Sequence, residues 1–129
     1  VGQLTNLAAV QLTEEGYGSI ACIALLAIGS ASLVENARNA DEVVILDGCP
    51  MLCGKKIAEE KGVQETQHLV VTELGIAKGP SRSYTSDDIE TIVSACWKGE
   101  GKEGIPEPKE KKSGGKDGGC GCGCSGTCR

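Results

Sequence analysis

Phenylalanine is absent from this chain, and Trp97, Tyr17 and Tyr84 are its only aromatic residues. The core must therefore be aliphatic, built from Leu, Ile, Val and Ala. Nucleic acid is a poor partner for such a sequence, because single strands need stacking platforms and duplexes need a basic surface. Residues 1–97 instead carry 6 basic and 13 acidic side chains, net −7, whereas residues 98–129 carry 7 and 5, net +2. Long hydrophobic runs are also missing. The longest, Ile20 to Ile28, has nine residues, too few to span a bilayer as a helix. No signal peptide is visible. No phosphate-binding glycine loop, hydrolase triad or dinucleotide fingerprint occurs.

Glycine and cysteine are plentiful, at 19 and 8 of 129 residues. Cys22, Cys49, Cys53 and Cys96 lie in the first 97 residues, and Cys120, Cys122, Cys124 and Cys128 crowd the end. Secreted disulfide scaffolds spread their cysteines over loops and lack a good core. Here three of the first four sit in or beside apolar runs. A cytoplasmic protein with reduced or metal-bound thiols is the expectation, with a metal ion as partner and neither nucleic acid nor membrane.

The pattern divides the chain into an α/β domain over 1–97 and a flexible linker with a Cys/Gly-rich tail over 98–129. A domain of roughly 97 residues buries about two-thirds of its unfolded surface, enough for one core. Leu4, Leu7, Ala8 and Leu12 share one helical face, predicting a helix over 2–15 that Gly16 stops. Gly18 to Ala24 reads as a buried strand, although periodicity alone does not separate it from buried helix. A short helix is expected over 32–40, with Leu33, Val34 and Ala37 inward. Glu42 to Asp47 is the clearest strand, since four consecutive apolar residues imply cover on both faces. A helix follows, with Pro50 in its first turn, to about Lys61. His68 to Glu73 reads as a further strand. Thr85 and Asp88 suggest a capping box before the stripe Ile89, Ile92, Val93, Cys96. Strands alternating with helices predict a small, mostly parallel sheet of three to four strands flanked by helices.

Cys49 falls between a strand and its following helix, at the carboxyl edge where parallel sheets place ligands. A helix start favours a thiolate over a thiol. If Cys49 and Cys53 share one helix, their Cβ atoms lie about 5–6 Å apart. That is wide for a disulfide, which wants about 3.8 Å. It suits two thiolates on one zinc, each sulfur about 2.3 Å from the metal. Cys22 could approach the same edge. Cys96, on an apolar stripe, reads as a buried hydrophobe, and His68 as an ordinary surface histidine. Asp47 could orient a thiol or simply hold the turn. In the tail, four thiols within nine residues, separated mostly by glycine, can wrap one soft ion without backbone strain. The same flexibility makes the metal-free tail disordered.

The segments Gly2-Gln3-Leu4-Thr5-Asn6, Cys22 in its apolar run, Asp47-Gly48-Cys49-Pro50 with Cys53, and Thr72-Glu73-Leu74-Gly75 together resemble the DGC-domain family. The resemblance covers about residues 1–97. It implies zinc binding, with Cys22, Cys49 and Cys53 as ligands by position. It also implies cysteines just ahead of the Gly-Gln-Leu segment, and a short segment upstream of Val1 is expected. The leading expectation is thus a zinc-thiolate protein. The alternatives are a redox or sulfur/selenium carrier with Cys49 as nucleophile, and a soft-metal chaperone that captures its ion with the tail.

Overall fold

The first helix, α1, runs Gly2–Glu14 and buries Leu4, Ala8 and Leu12 along one stripe. Gly16, at φ +78°, ends it. The amide of Tyr17 then turns back to the Leu12 carbonyl at 2.9 Å, a closure that needs a left-handed residue. This computed structural model describes residues 1–80 and 82–102. The four tail cysteines therefore lie outside the described residues.

The strand expected over 18–24 is not formed. Residues 18–22 are irregular, and α2 is a short helix, Ile23–Ala27, with no buried residue. Ile20, Ile23 and Ile28 are 51%, 50% and 77% exposed. The reason lies in the run's composition. Alanine and leucine are the strongest helix formers, and they fill 23–27. The bonds from Leu26 N–H to Cys22 O and from Ile28 N–H to Ala24 O satisfy the backbone locally. Apolar residues carry no obligation to be inside.

The third helix, α3 (Ala31–Asn39), lies within a residue of its predicted place, with Leu33, Val34 and Ala37 half-buried. Strand β1 is Val44–Asp47 and β2 is Gln67–Val70. They pair in parallel, Val44 with Gln67 through Asp47 with Val70. Among the described residues the sheet has these two strands and one antiparallel bridge, Gln67 to Lys102, not three or four. The second strand stops before Glu73 because Val71–Leu74 winds into a 3-10 turn that Gly75 closes at φ +86°.

Helix α4 is Cys53–Glu60 and α5 is Ser86–Trp97. The capping box of α5 is present, with Thr85 N–H donating to Asp88 Oδ2 at 2.8 Å and Asp88 N–H to Thr85 Oγ1 at 3.4 Å. Helices α1 and α5 pack together over one face of the sheet. Leu4, Ala8, Leu12, Leu69, Ile92, Val93 and Cys96 make the core there, with Val44 and Leu46 against it. Helix α4 covers the other face, and α2 lies against α4.

Packing continues past Trp97. The fully buried Gln67 accepts from the Tyr17 hydroxyl at 2.6 Å and donates to Cys96 O at 3.2 Å and Glu100 O at 2.7 Å. The amide of His68 donates to Gly101 O at 3.1 Å. A chain cut after Lys98 loses two of these partners, whereas a chain cut after Lys102 keeps them. Water can reach the freed donors, and Gln67 keeps Cys96 O, so each lost hydrogen bond costs about 0.5–1.5 kcal/mol. The shorter chain should therefore melt about 5–15 °C below the longer one; equal midpoints by calorimetry would show that this polar cluster adds nothing.

Cys96 is 1% exposed. Burial, and then the Glu100 carboxylate, pushes its thiol up to about 11. An unfolded chain gives up that proton near pH 8.5. The folded state holds it, so the stabilisation is complete below about pH 8.5 and is lost as pH rises towards 11. The denaturation midpoint of the native protein should fall relative to that of Cys96→Ala between pH 7.5 and pH 10. A constant difference between the two proteins would refute the assignment.

Candidate functional site: the Asp47–Cys53 turn

The parallel strands β1 and β2 end at the same edge of the sheet. From there the chain leaves β1 through Gly48 and Cys49, turns, and enters α4 at Cys53. Cys49 is not in that helix. Its carbonyl accepts from Leu52 N–H at 3.2 Å, closing a four-residue turn with Pro50 at the position that favours proline. The helix expected to hold Pro50 in its first turn instead begins at Cys53, and Pro50 lies in the turn before it. Cys49 and Cys53 bracket the turn rather than sharing a helical face, and the separation derived for two helical positions does not apply to them.

Two features set where α4 starts. The first is Asp47, 5% exposed. Its Oδ1 accepts from Gly54 N–H at 2.7 Å and its Oδ2 from Lys55 N–H at 3.1 Å. These are first-turn amides that no helical carbonyl can reach. The positive end of α4 is thus occupied by the Asp47 carboxylate rather than by Cys49. The second feature is Leu52, at φ +53°, the one non-glycine residue among those described with positive φ. A left-handed leucine costs about 1–2 kcal/mol, and its surroundings must hold it there.

Gly48 brings in a third element. A Cβ on it would stand 3.1 Å from Gly2 N and 3.1 Å from Val1 Cγ2, so the start of α1 abuts the loop. The Val1 nitrogen in turn contacts the Tyr84 hydroxyl. Cys49 is half-buried against the core, while Cys53 is exposed. Cys22 is exposed at the N-cap of α2, on the side of α4. All four described cysteines are free thiols. Among the described residues, no three His, Cys, Asp or Glu side chains gather into a group that could hold a metal ion.

His68 was expected to be an ordinary surface residue. Instead its Nε2 lies 3.0 Å from Asp47 Oδ2, with side-chain exposures of 15% and 6%. In sequence the two are 21 positions apart. Only the strand register, which sets His68 opposite Ile45, puts both on the α4 face. Alternation along each strand could have suggested the face, but not the pairing.

The two available thiols make soft, deprotonatable ligands that fit half of a tetrahedral zinc shell. Asp47 and His68 are engaged with each other and with α4, and add no free donor from the bonded atoms. Two open depressions, of about 520 and 310 Å³, are lined by residues of α5, of the 73–84 segment and of the chain just after α5, and by none of residues 47–53. The thiols thus stand on a strand–turn–helix edge rather than in either depression.

Fold and site together define a small α/β protein that displays a thiol pair at the carboxyl edge of a parallel sheet. Residues 1–96 match the DGC domain, and the chain belongs to that family. It is also similar to the anaerobic and virulence modulator AnvM of Pseudomonas aeruginosa, 32% identical over 92 residues that cover 71% of this chain and 70% of that protein. No solved structure matches it. No helix among the described residues is long and apolar enough to cross a membrane.

Gly54 tests how tightly the site is built. A Cβ there would stand 3.0 Å from Ile45 Cγ2 and 3.1 Å from Asp47 Oδ1. Helix propensity alone predicts that Gly54→Ala stabilises by about 1 kcal/mol. The crowding reverses the sign, and a loss of about 1–3 kcal/mol is expected. Gly2→Ala, at the first position of α1, meets nothing within 4 Å and should be neutral to slightly stabilising. Urea titration of both variants decides it, and a stabilised Gly54→Ala would be the contrary result.

Proposed function

We propose that this protein binds zinc through thiolates, with Cys49 and Cys53 as two of the ligands. Cys22, or cysteines outside the described residues, completes the shell. The observation that carries the reading is the turn itself. Two thiols flank a hydrogen-bonded turn, one two residues past the end of a strand and one on the start of a helix, with Asp47 and Gly48 holding the neighbouring backbone. Zinc supplies no redox chemistry and stabilises whatever its ligands bring together. The tail cysteines Cys120, Cys122, Cys124 and Cys128 form a second soft-metal set in this proposal, able to capture an ion and deliver it to the turn. The name of the Pseudomonas relative suggests a modulatory role, which suits a binding module better than a turnover enzyme. A cytoplasmic location fits reduced thiols.

One observation favours a second reading. Because Cys49 lies in a turn rather than in a helix, the separation that disfavoured a Cys49–Cys53 disulfide no longer argues against thiol redox chemistry.

The two readings separate in full-length protein purified without air. Elemental analysis should find zinc, reduced in Cys49→Ser and Cys53→Ser and unchanged in Cys96→Ser. A metal-bound thiolate is partly shielded from alkylation. Cys49 should therefore react slowly with iodoacetamide at neutral pH, and much faster after chelation, as read by mass spectrometry of the peptide from Ala40 to Lys55. Rapid alkylation that chelator does not change, with no bound zinc, would transfer the case to the redox reading.

A further inference from the structure

We propose that His68 is a positioning residue for the Cys49–Cys53 turn, acting through Asp47. Its consequence for metal rests on the thiolate site proposed above, but its geometry does not.

The path runs through three hydrogen bonds to one carboxylate. Strand β2 sets His68 opposite Ile45, so the imidazole emerges on the same face of the sheet as Asp47, two residues further along β1. Its Nε2 stands 3.0 Å from Asp47 Oδ2. A carboxylate oxygen only accepts, so Nε2 carries the proton and donates. Asp47 in turn receives Gly54 N–H at 2.7 Å and Lys55 N–H at 3.1 Å. The residue before those amides is Cys53. Three donors from two elements thus converge on one buried carboxylate, and the first turn of α4 is anchored to it.

The third donor matters because the last torsion of an aspartate is soft. Rotation about a bond between tetrahedral and planar carbons has broad wells. Two amides from the same helix turn can follow the carboxylate as it rotates. The imidazole cannot follow, because it belongs to another strand, whose amide is also bonded to Gly101 O at 3.1 Å. His68 therefore fixes the plane of the carboxylate relative to the sheet, and with it the point where α4 begins. Gly54 permits the close approach, since a Cβ would come within 3.1 Å of Asp47 Oδ1. Leu52, left-handed at φ +53°, lies next to Cys53 and is the first residue to relax if that anchor loosens. The Cys49–Cys53 separation would then vary, and a metal needs it constant. Outer partners of this kind commonly change metal affinity by about 10–100-fold.

The test uses the full chain, reduced and stripped of metal, as native protein, His68→Leu and His68→Gln. Amide exchange followed by NMR should rise at least about tenfold at Gly54 and Lys55 in His68→Leu, while the core amides of Leu69 and Ile92 stay within about twofold. His68→Gln, which keeps an N–H donor, should restore part of the protection. Cadmium titration, followed at the Cys49 and Cys53 resonances so that the tail thiols do not intrude, should show about tenfold weaker binding in His68→Leu. Unchanged exchange at Gly54 and Lys55 overturns the proposal. So does a uniform rise over all amides, which would mean that His68 merely stabilises the fold. Selective exchange with unchanged cadmium affinity overturns its role at the thiols. Selective exchange in a protein whose Cys49 and Cys53 bind no cadmium supports the positioning and sinks the metal reading instead.

Discussion

A carboxylate buried to 5% exposure is expensive unless it is hydrogen-bonded and paired. Asp47 meets that condition by joining three elements: it ends β1, accepts the free amides that start α4, and receives His68 from β2. Everything distinctive about the region follows from this. The helix begins at Cys53 because its first-turn amides find their acceptor in Asp47. The three residues between Cys49 and Cys53 are therefore left to form a turn. The thiols are carried at the two ends of that turn, on backbone that is hydrogen-bonded on both sides.

The opposite face of the sheet is organised by different physics. Without phenylalanine, α1 and α5 pack through small and branched aliphatic groups, and the fully buried Leu4, Val71 and Ile92 fill the space that aromatic rings occupy elsewhere. The aromatic residues act at the rim. Tyr17 and Trp97 meet edge to face with centroids 4.7 Å apart. The indole N–H of Trp97 donates to Glu15 at 2.8 Å, and the Tyr17 hydroxyl reaches buried Gln67. Gln67 then joins the start of β2 to the ends of α1 and α5, as Asp47 joins the end of β1 to the start of α4. The cysteines divide along the same line. Cys96 belongs to the aliphatic core, where burial holds it protonated, and Cys49 and Cys53 belong to the edge.

Much was legible in the chain itself, because it depended on neighbours in sequence. The stripe Leu4, Ala8, Leu12 and its glycine stop, the box of Thr85 with Asp88, and the burial of Cys96 on its helical stripe all follow from periods and caps that act within a few residues. The Asp-Gly-Cys motif and the family followed from residues as they stand. The run from Ile20 to Ile28 was misread because hydrophobicity marks what can be buried, and not what is. Its alanines and leucines satisfied their backbone bonds in a short helix, and among the described residues β1 has a single neighbouring strand. The start of α4 was misplaced because a proline that suits a helix start suits a turn equally well.

What tertiary structure alone decided is the company each polar group keeps. Nothing local tells that the amides of Gly54 and Lys55 will meet a carboxylate seven and eight residues earlier, or that a histidine 21 residues on will reach the same carboxylate. Strand register made that choice: pairing Ile45 with His68 put an imidazole on the α4 face, and a slip of one residue would have turned it to the other. The sequence by itself determined which residues carry thiols and where the periodic helices lie, since both are written in adjacent positions. The geometry between those thiols was left to contacts across the sheet, because a backbone amide or a carboxylate has no preferred partner until folding brings one within about 3 Å.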